Sequence, residues 1–212
     1  MSLKLQKQHV SSNAGRSRLS KNWPNRTDPM RLFIAIELSE ALKTALGKLR
    51  SDIPGARWVP PEQIHLTLAF LGELDEETTD RLTLELAGIQ ATGFELALSG
   101  TGCFPNVRYP RVLWVGVKPQ PLLTLLADKV NSAVTACNIP LEERPFSPHI
   151  TLARFKAPAA REVAAFLGQH RKVQFEPFSV TEFTLFQSKL TSHGALHAPV
   201  RNFPLATSAS AS

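Results

Sequence analysis

A chain of 212 residues, 43% hydrophobic and 20% charged, can bury one substantial core and does not have the composition of a disordered polymer. No apolar run is long enough to span a bilayer, and two cysteines, Cys103 and Cys137, make neither a disulfide framework nor a metal cluster. The formal charge of +6 does not mark the body as a nucleic-acid grip: residues 1–29 hold six basic residues and one acid, which leaves only +1 for the rest.

Residues 1–29 are polar, basic and without apolar period, and read as a flexible extension. Met30 stands directly before the first strand pattern, 31–36. Ser39 then N-caps a helix that carries Leu42, Leu46 and Leu49 at helical spacing, and Pro54-Gly55 ends it. Trp58 and Pro60-Pro61 lead into a strand over 64–70, closed by Gly72. A second helix is predicted over 76–86 and a strand over 94–98. The glycine-rich segment 100–106 reads as a loop, with Arg108 and Arg111 flanking Tyr109-Pro110. A strand over 112–117 and a helix over 122–134 follow. Pro140, Pro145 and Pro148 break the next connection before a strand over 150–153, a short helix over 160–167 and a strand over 178–187. The body spans 30–206, and 207–212 form a frayed tail. The irregular alternation predicts an α+β fold, and neither a Walker A sequence nor a dinucleotide fingerprint is present.

The informative feature is a near repeat. Ile64-His65-Leu66-Thr67-Leu68-Ala69 resembles Pro148-His149-Ile150-Thr151-Leu152-Ala153, with the histidines 84 positions apart. A strand's period of two puts His and Thr on one face and the intervening aliphatic residues on the other. Imidazoles exchange protons near neutral pH, and threonine hydroxyls can hydrogen-bond non-bridging phosphate oxygens. Two such strands across a cleft would hold a phosphate between an acid and a base, with no metal required. A single copy would be weak, since strand histidines and threonines are common structural residues. A zinc site lacks a third protein ligand, and His9, His170, His193 and His197 read as surface residues.

On these motifs the chain resembles the bacterial and archaeal RNA 2',3'-cyclic phosphodiesterases of the two-histidine phosphoesterase superfamily, once called 2'-5' RNA ligases. The resemblance covers almost all of 30–206. It extends through Arg31-Leu32-Phe33-Ile34-Ala35-Ile36, Trp58-Val59-Pro60, His65 to Gly72, Gly102-Cys103-Phe104-Pro105-Asn106, Val112 to Gly116, His149 to Arg154, and Phe183 to Ser188.

It implies a bilobal α+β fold with pseudo-twofold symmetry, each lobe bringing an antiparallel sheet and one His-x-Thr strand to a central cleft. It also implies opening of a cyclic phosphate at an RNA end to a 2'-phosphate, with His65 as proton donor to the leaving 3'-oxygen and His149 as proton acceptor from water. Thr67, Thr151 and Arg154 would bind phosphate, although strict alternation puts Arg154 on the wrong face. Phe104 could stack on a terminal base or plug the core, and Arg108 and Arg111 are candidate RNA contacts. The expected protein is a cytoplasmic monomer with no cofactor, no metal and no membrane association. Three rivals stay open: 2'-5' ligation or cleavage of a 2'-5' linkage, action on small cyclic phosphates, and RNA-end binding without turnover.

Overall fold

The computed structural model describes residues 29–157, 159–191 and 194–207. The predicted extension up to residue 28 and the predicted tail from residue 208 lie outside the described residues, as do His9 and His193. In chain order the elements are β1 (Met30–Glu37), α1 (Glu40–Gly47), β2 (Ala56–Trp58), β3 (His65–Leu74), α2 (Glu76–Ala87), β4 (Phe94–Leu96), β5 (Leu98–Phe104) and β6 (Val112–Val117). Then come α3 (Pro121–Ala136), β7 (His149–Phe155), α4 (Ala160–Gln169), β8 (Phe178–Val180), β9 (Glu182–Thr191) and β10 (Gly194–Pro204).

Local chemistry sets the helix starts. The Ser39 hydroxyl accepts from the Leu42 N–H at 3.3 Å, and the Asp75 carboxylate accepts from the Thr78 N–H at 2.7 Å. β1 is an unbroken apolar run, buried from Leu32 to Ile36, because it lies between two other strands, β3 and β9.

The main sheet runs β10-β9-β1-β3-β7-β6-β5, with β2 added beside β7, and its strand pairings are antiparallel. β4 and β8 form a separate two-stranded sheet. The fold is α+β and bilobal. Lobe one contains β10, β9, β1 and β3; lobe two contains β7, β6, β5 and β2. The two meet through one residue pair of the motif strands, Leu66 opposite Ile150. Each lobe repeats the order strand, helix, histidine strand, helix: β1-α1-β3-α2 and β6-α3-β7-α4. The lobes also exchange material. β9 and β10 come from the end of the chain yet pair into lobe one, and β2 precedes β3 yet pairs with β7 of lobe two.

One face of the sheet packs on the helices, burying Leu66, Leu68, Ile150 and Leu152 with Leu82, Leu86, Leu123 and Val130. The opposite face carries a separate small cluster, Phe33, Ala35 and Phe186.

Three predicted elements need correction, and β10 is not among those predicted. The first, the strand expected over 94–98, divides at Ala97 into β4 and the start of β5, which lie in different sheets. Residues 100–104 are not loop but the body of β5, paired with β6. Gly102 sits opposite Trp114, and a Cβ there would stand 2.1 Å from the indole, so glycine is needed for close approach and not for a turn. Gly100 has φ +69° at a register shift between Leu98 and Thr101, the signature of a bulge. The single strand expected over 178–187 divides at Thr181 into β8 and β9. The sequence does not announce β10, because its prolines argue against a strand; it is an edge strand, paired only with β9, where proline is tolerated.

Candidate active site

His65 opens β3 and His149 opens β7, so the joint at Leu66 and Ile150 lies immediately after both imidazoles. The alternation works as the sequence implies for the first four residues. His65, Thr67, His149 and Thr151 are half-buried on the cleft face, while Leu66, Leu68, Ile150 and Leu152 are buried on the helix face.

Both strands then break the period at the same place. In the β1–β3 ladder, Ile34 faces Ala69 and Ala35 faces Thr67, which leaves Leu68 without an opposite residue. In the β6–β7 ladder, Leu113 faces Ala153 and Trp114 faces Thr151, which leaves Leu152 without one. Each is a bulge, and each flips the phase of the residues beyond it. Arg154 therefore comes out exposed on the cleft side instead of on the Leu152 face. Its counterpart Phe70 is likewise exposed.

The two imidazoles are held alike. His65 Nδ1 is 2.7 Å from the Gln63 carbonyl oxygen, and His149 Nδ1 is 2.7 Å from the Ser147 carbonyl oxygen. A carbonyl can only accept, so each Nδ1 donates. The neutral tautomer then leaves Nε2 bare, ready to take a proton or, once protonated, to give one. Thr67 and Thr151 hydroxyls make no hydrogen bond to protein among the described residues, which leaves them available to a ligand.

The surroundings differ. His65 lies against Phe33 (4.8 Å between ring centroids), Phe186 (6.5 Å) and His197 (5.2 Å). Burial in this apolar wall is the largest influence and pushes the His65 pKa down to about 4. The Gln63 carbonyl works against it, and the charges of His197, Arg154 and Lys43 add to it. His149 lies against Phe104 (5.0 Å) and Trp114 (6.4 Å). Its pKa is also lowered, first by burial and then by Arg154, with the Ser147 carbonyl opposing. Arg154 therefore places its charge within electrostatic reach of both imidazoles.

A cleft of about 860 Å³ extends from this pair and takes in His65, Thr67, Phe70, Thr151, Arg154 and His197. His149 is not among the side chains enclosing that volume; it stands at the head of the strand that supplies Thr151 and Arg154. Arg31, Arg57 and Trp58 also line the cleft. Phe104 packs on Trp114 at 5.2 Å, at the His149 end. Arg108 is exposed in the turn after β5, outside the cleft lining, and the Arg111 guanidinium donates to the Lys156 carbonyl at 2.7 Å. Trp58 packs on Phe166 at 5.9 Å. His170 packs on Phe166 at the end of α4.

The surface reading of His197 is corrected by the structure. His197 reaches the cleft from β10, 4.8 Å from Phe33 and 5.2 Å from His65, and its buried Nδ1 has no hydrogen-bond partner. Burial lowers its pKa below the ordinary imidazole value. No sequence signal marks it, because it stands outside both motifs. Among the described residues no three His, Cys, Asp or Glu side chains gather as metal ligands, and no described helix is long and apolar enough to cross a membrane.

Comparison with known proteins reproduces the duplication. The chain matches the LigT like Phosphoesterase family twice, over residues 36–114 and 115–197, and each copy holds one His-x-Thr strand. It is 38% identical over 188 residues to an RNA 2',3'-cyclic phosphodiesterase of Thermus thermophilus, covering 83% of this chain and 90% of that protein. It is 33% identical over 177 residues to one of Archaeoglobus fulgidus, covering 82% and 99%. A solved structure from Thermus thermophilus superposes with a TM-score of 0.69 at 36% identity, covering 82% of this chain and 97% of that one.

Proposed function

The chain belongs to the LigT-like phosphoesterase family, and from that premise we propose that it hydrolyses the 2',3'-cyclic phosphate at the end of an RNA to a 2'-phosphate. One observation carries the reading. Two histidines, each with Nδ1 tied to the carbonyl two residues before it, open two bulged strands that converge on one cleft. The relatives from Thermus thermophilus and Archaeoglobus fulgidus, both RNA 2',3'-cyclic phosphodiesterases, support it.

In the proposed reaction His149 Nε2 takes a proton from water while the water oxygen bonds to phosphorus. The P–O3' bond breaks, and His65 Nε2–H passes its proton to the departing 3'-oxygen. Solvent then returns a proton to His65 and removes one from His149. Thr67 and Thr151 donate to the non-bridging oxygens. Arg154 stabilises the charge on them, and its place near both rings suits a phosphate held between them. Phe104, beside His149, supplies an aromatic face for the terminal base. A phosphate anion arriving beside His65 favours protonation of the donor and offsets the lowering by burial. The two free thiols, Cys103 and Cys137, accord with a cytoplasmic setting.

A second assignment has one observation in its favour. The depressed pKa of His65 suits a base better than an acid, and exchanged roles would follow from it.

The test is a short RNA ending in a 2',3'-cyclic phosphate, incubated with purified protein in EDTA, with products resolved as 2'- or 3'-phosphates. A 2'-phosphate that disappears with either histidine variant is expected. No opening by the folded protein would overturn the reading, and a 3'-phosphate would move the leaving group to the 2'-oxygen.

A further inference from the structure

β2 occupies an unusual place. Beyond Leu66–Ile150 the motif strands part, and the gap beside β7 is taken by β2: Ala56 faces Phe155, Arg57 faces Arg154, and Trp58 faces Ala153. Residues directly opposite in an antiparallel pair put their side chains on the same side, so two arginines stand next to each other, and both line the cleft. Like charges in that relation are unfavourable, and among the described residues neither guanidinium has an acidic partner. Arg31, the third arginine of the cleft, differs in having Glu73 opposite it in the β1–β3 ladder.

Charge counting points outward from the reacting phosphate. The cleft holds Arg31, Arg57 and Arg154 against a single acid, Glu142. A cyclic phosphodiester carries only one negative charge, so the excess of cation is met only when a second anion enters. Arg154 already serves the imidazoles' end. Arg57, its neighbour across the ladder, is not among the charges that bear on either imidazole, whereas Arg154 bears on both, so Arg57 is the member of the pair left over for a second anion. An arginine on an edge strand can also serve to discourage strand addition, but that role does not call for a second arginine opposite it or for a place in the cleft wall.

We infer that Arg57, backed by Arg154, forms a second anion subsite that takes the internucleotide phosphate on the 5' side of the terminal nucleotide. The inference rests on the proposed reaction and deepens it: the enzyme reads an oligonucleotide end, not merely a cyclic phosphate.

Three substrates test it: a nucleoside 2',3'-cyclic phosphate, a dinucleotide ending in the same group, and that dinucleotide with an uncharged methylphosphonate linkage. The wild-type protein should favour the charged over the uncharged dinucleotide by roughly tenfold in kcat/KM, the scale of one charged hydrogen bond. Arg57→Gln should abolish that preference, and Arg57→Lys should retain part of it. Equal loss on all three substrates in Arg57→Gln, or no preference in the wild type, overturns the subsite while leaving the reaction in place. Failure of the wild-type protein to open any of the three overturns the reaction and the subsite together.

Discussion

The two histidine pockets share a strand, a bulge and a backbone carbonyl, yet they are walled differently. Behind His65 stand Phe33 and Phe186, both buried, with His197 edge-on. Behind His149 stand Phe104 and Trp114, both only partly buried. The repeated strand therefore fixes where a proton-transfer group sits and which nitrogen faces the ligand. The neighbouring strands fix how readily that nitrogen is protonated. Duplication supplies two equivalent groups, and Phe33 of β1 and Trp114 of β6, with the side chains of β9, β10 and β5, make them unequal.

The largest test of that difference is removal. His65→Ala and His149→Ala should each lower kcat by about 10²–10⁴-fold. A substrate with a nitrophenolate leaving group needs no acid, so it should restore turnover to the variant lacking the donor and not to the other. Rescue of both, or of neither, would break the division of labour.

Next comes titration. By NMR, His65 in the free protein should titrate at about 4, well below the ordinary 6.5, and inorganic phosphate should move it upward. The folded pKa is the lower one, so between 6.5 and about 4 the unfolded chain binds more protons. The His65 contribution to stability is accordingly full above 6.5 and is lost as pH falls towards about 4. In Phe33→Leu, which thins the wall, that window should narrow; an unchanged His65 titration would separate its pKa from the wall.

A change confined to lobe two is subtler. Gly102→Ala puts a Cβ 2.1 Å from the Trp114 indole and should cost roughly 1–3 kcal/mol in denaturant unfolding. Because Trp114 neighbours only His149, the His65 resonance should stay in place; movement of both would mean the pockets are coupled. Smallest of all, Thr67→Val and Thr151→Val should each lower kcat/KM by roughly fivefold to tenfold, the net worth of one ordinary hydrogen bond. A much larger loss from one alone would assign the phosphate to that lobe.

Much of the site is legible in the sequence because a strand's period is two. The His-x-Thr repeat identifies four cleft residues from spacing alone, and the structure sets them on one face. Whatever breaks the period escapes. Arg154 looks misplaced in sequence because a bulge of one residue leaves no mark in an aliphatic run such as Leu68-Ala69 or Leu152-Ala153. The glycines at 100 and 102 suggest a turn, since glycine marks a bulge or a close indole contact as readily as a loop. His197 and Arg57 are invisible for another reason: strand pairing across the molecule brings them to the cleft, not their neighbours in sequence.

The exchange of strands between lobes has a consequence for how the molecule comes together. A break between the two repeats, near residue 114, leaves the first fragment with β1 and β3 but without β9 and β10 beside them. It leaves the second with β7 but without β2. Neither fragment contains a whole lobe. Completing lobe one requires the last strands to return to the first, a closure over most of the chain, so neither half of the duplication is expected to fold as a whole lobe by itself.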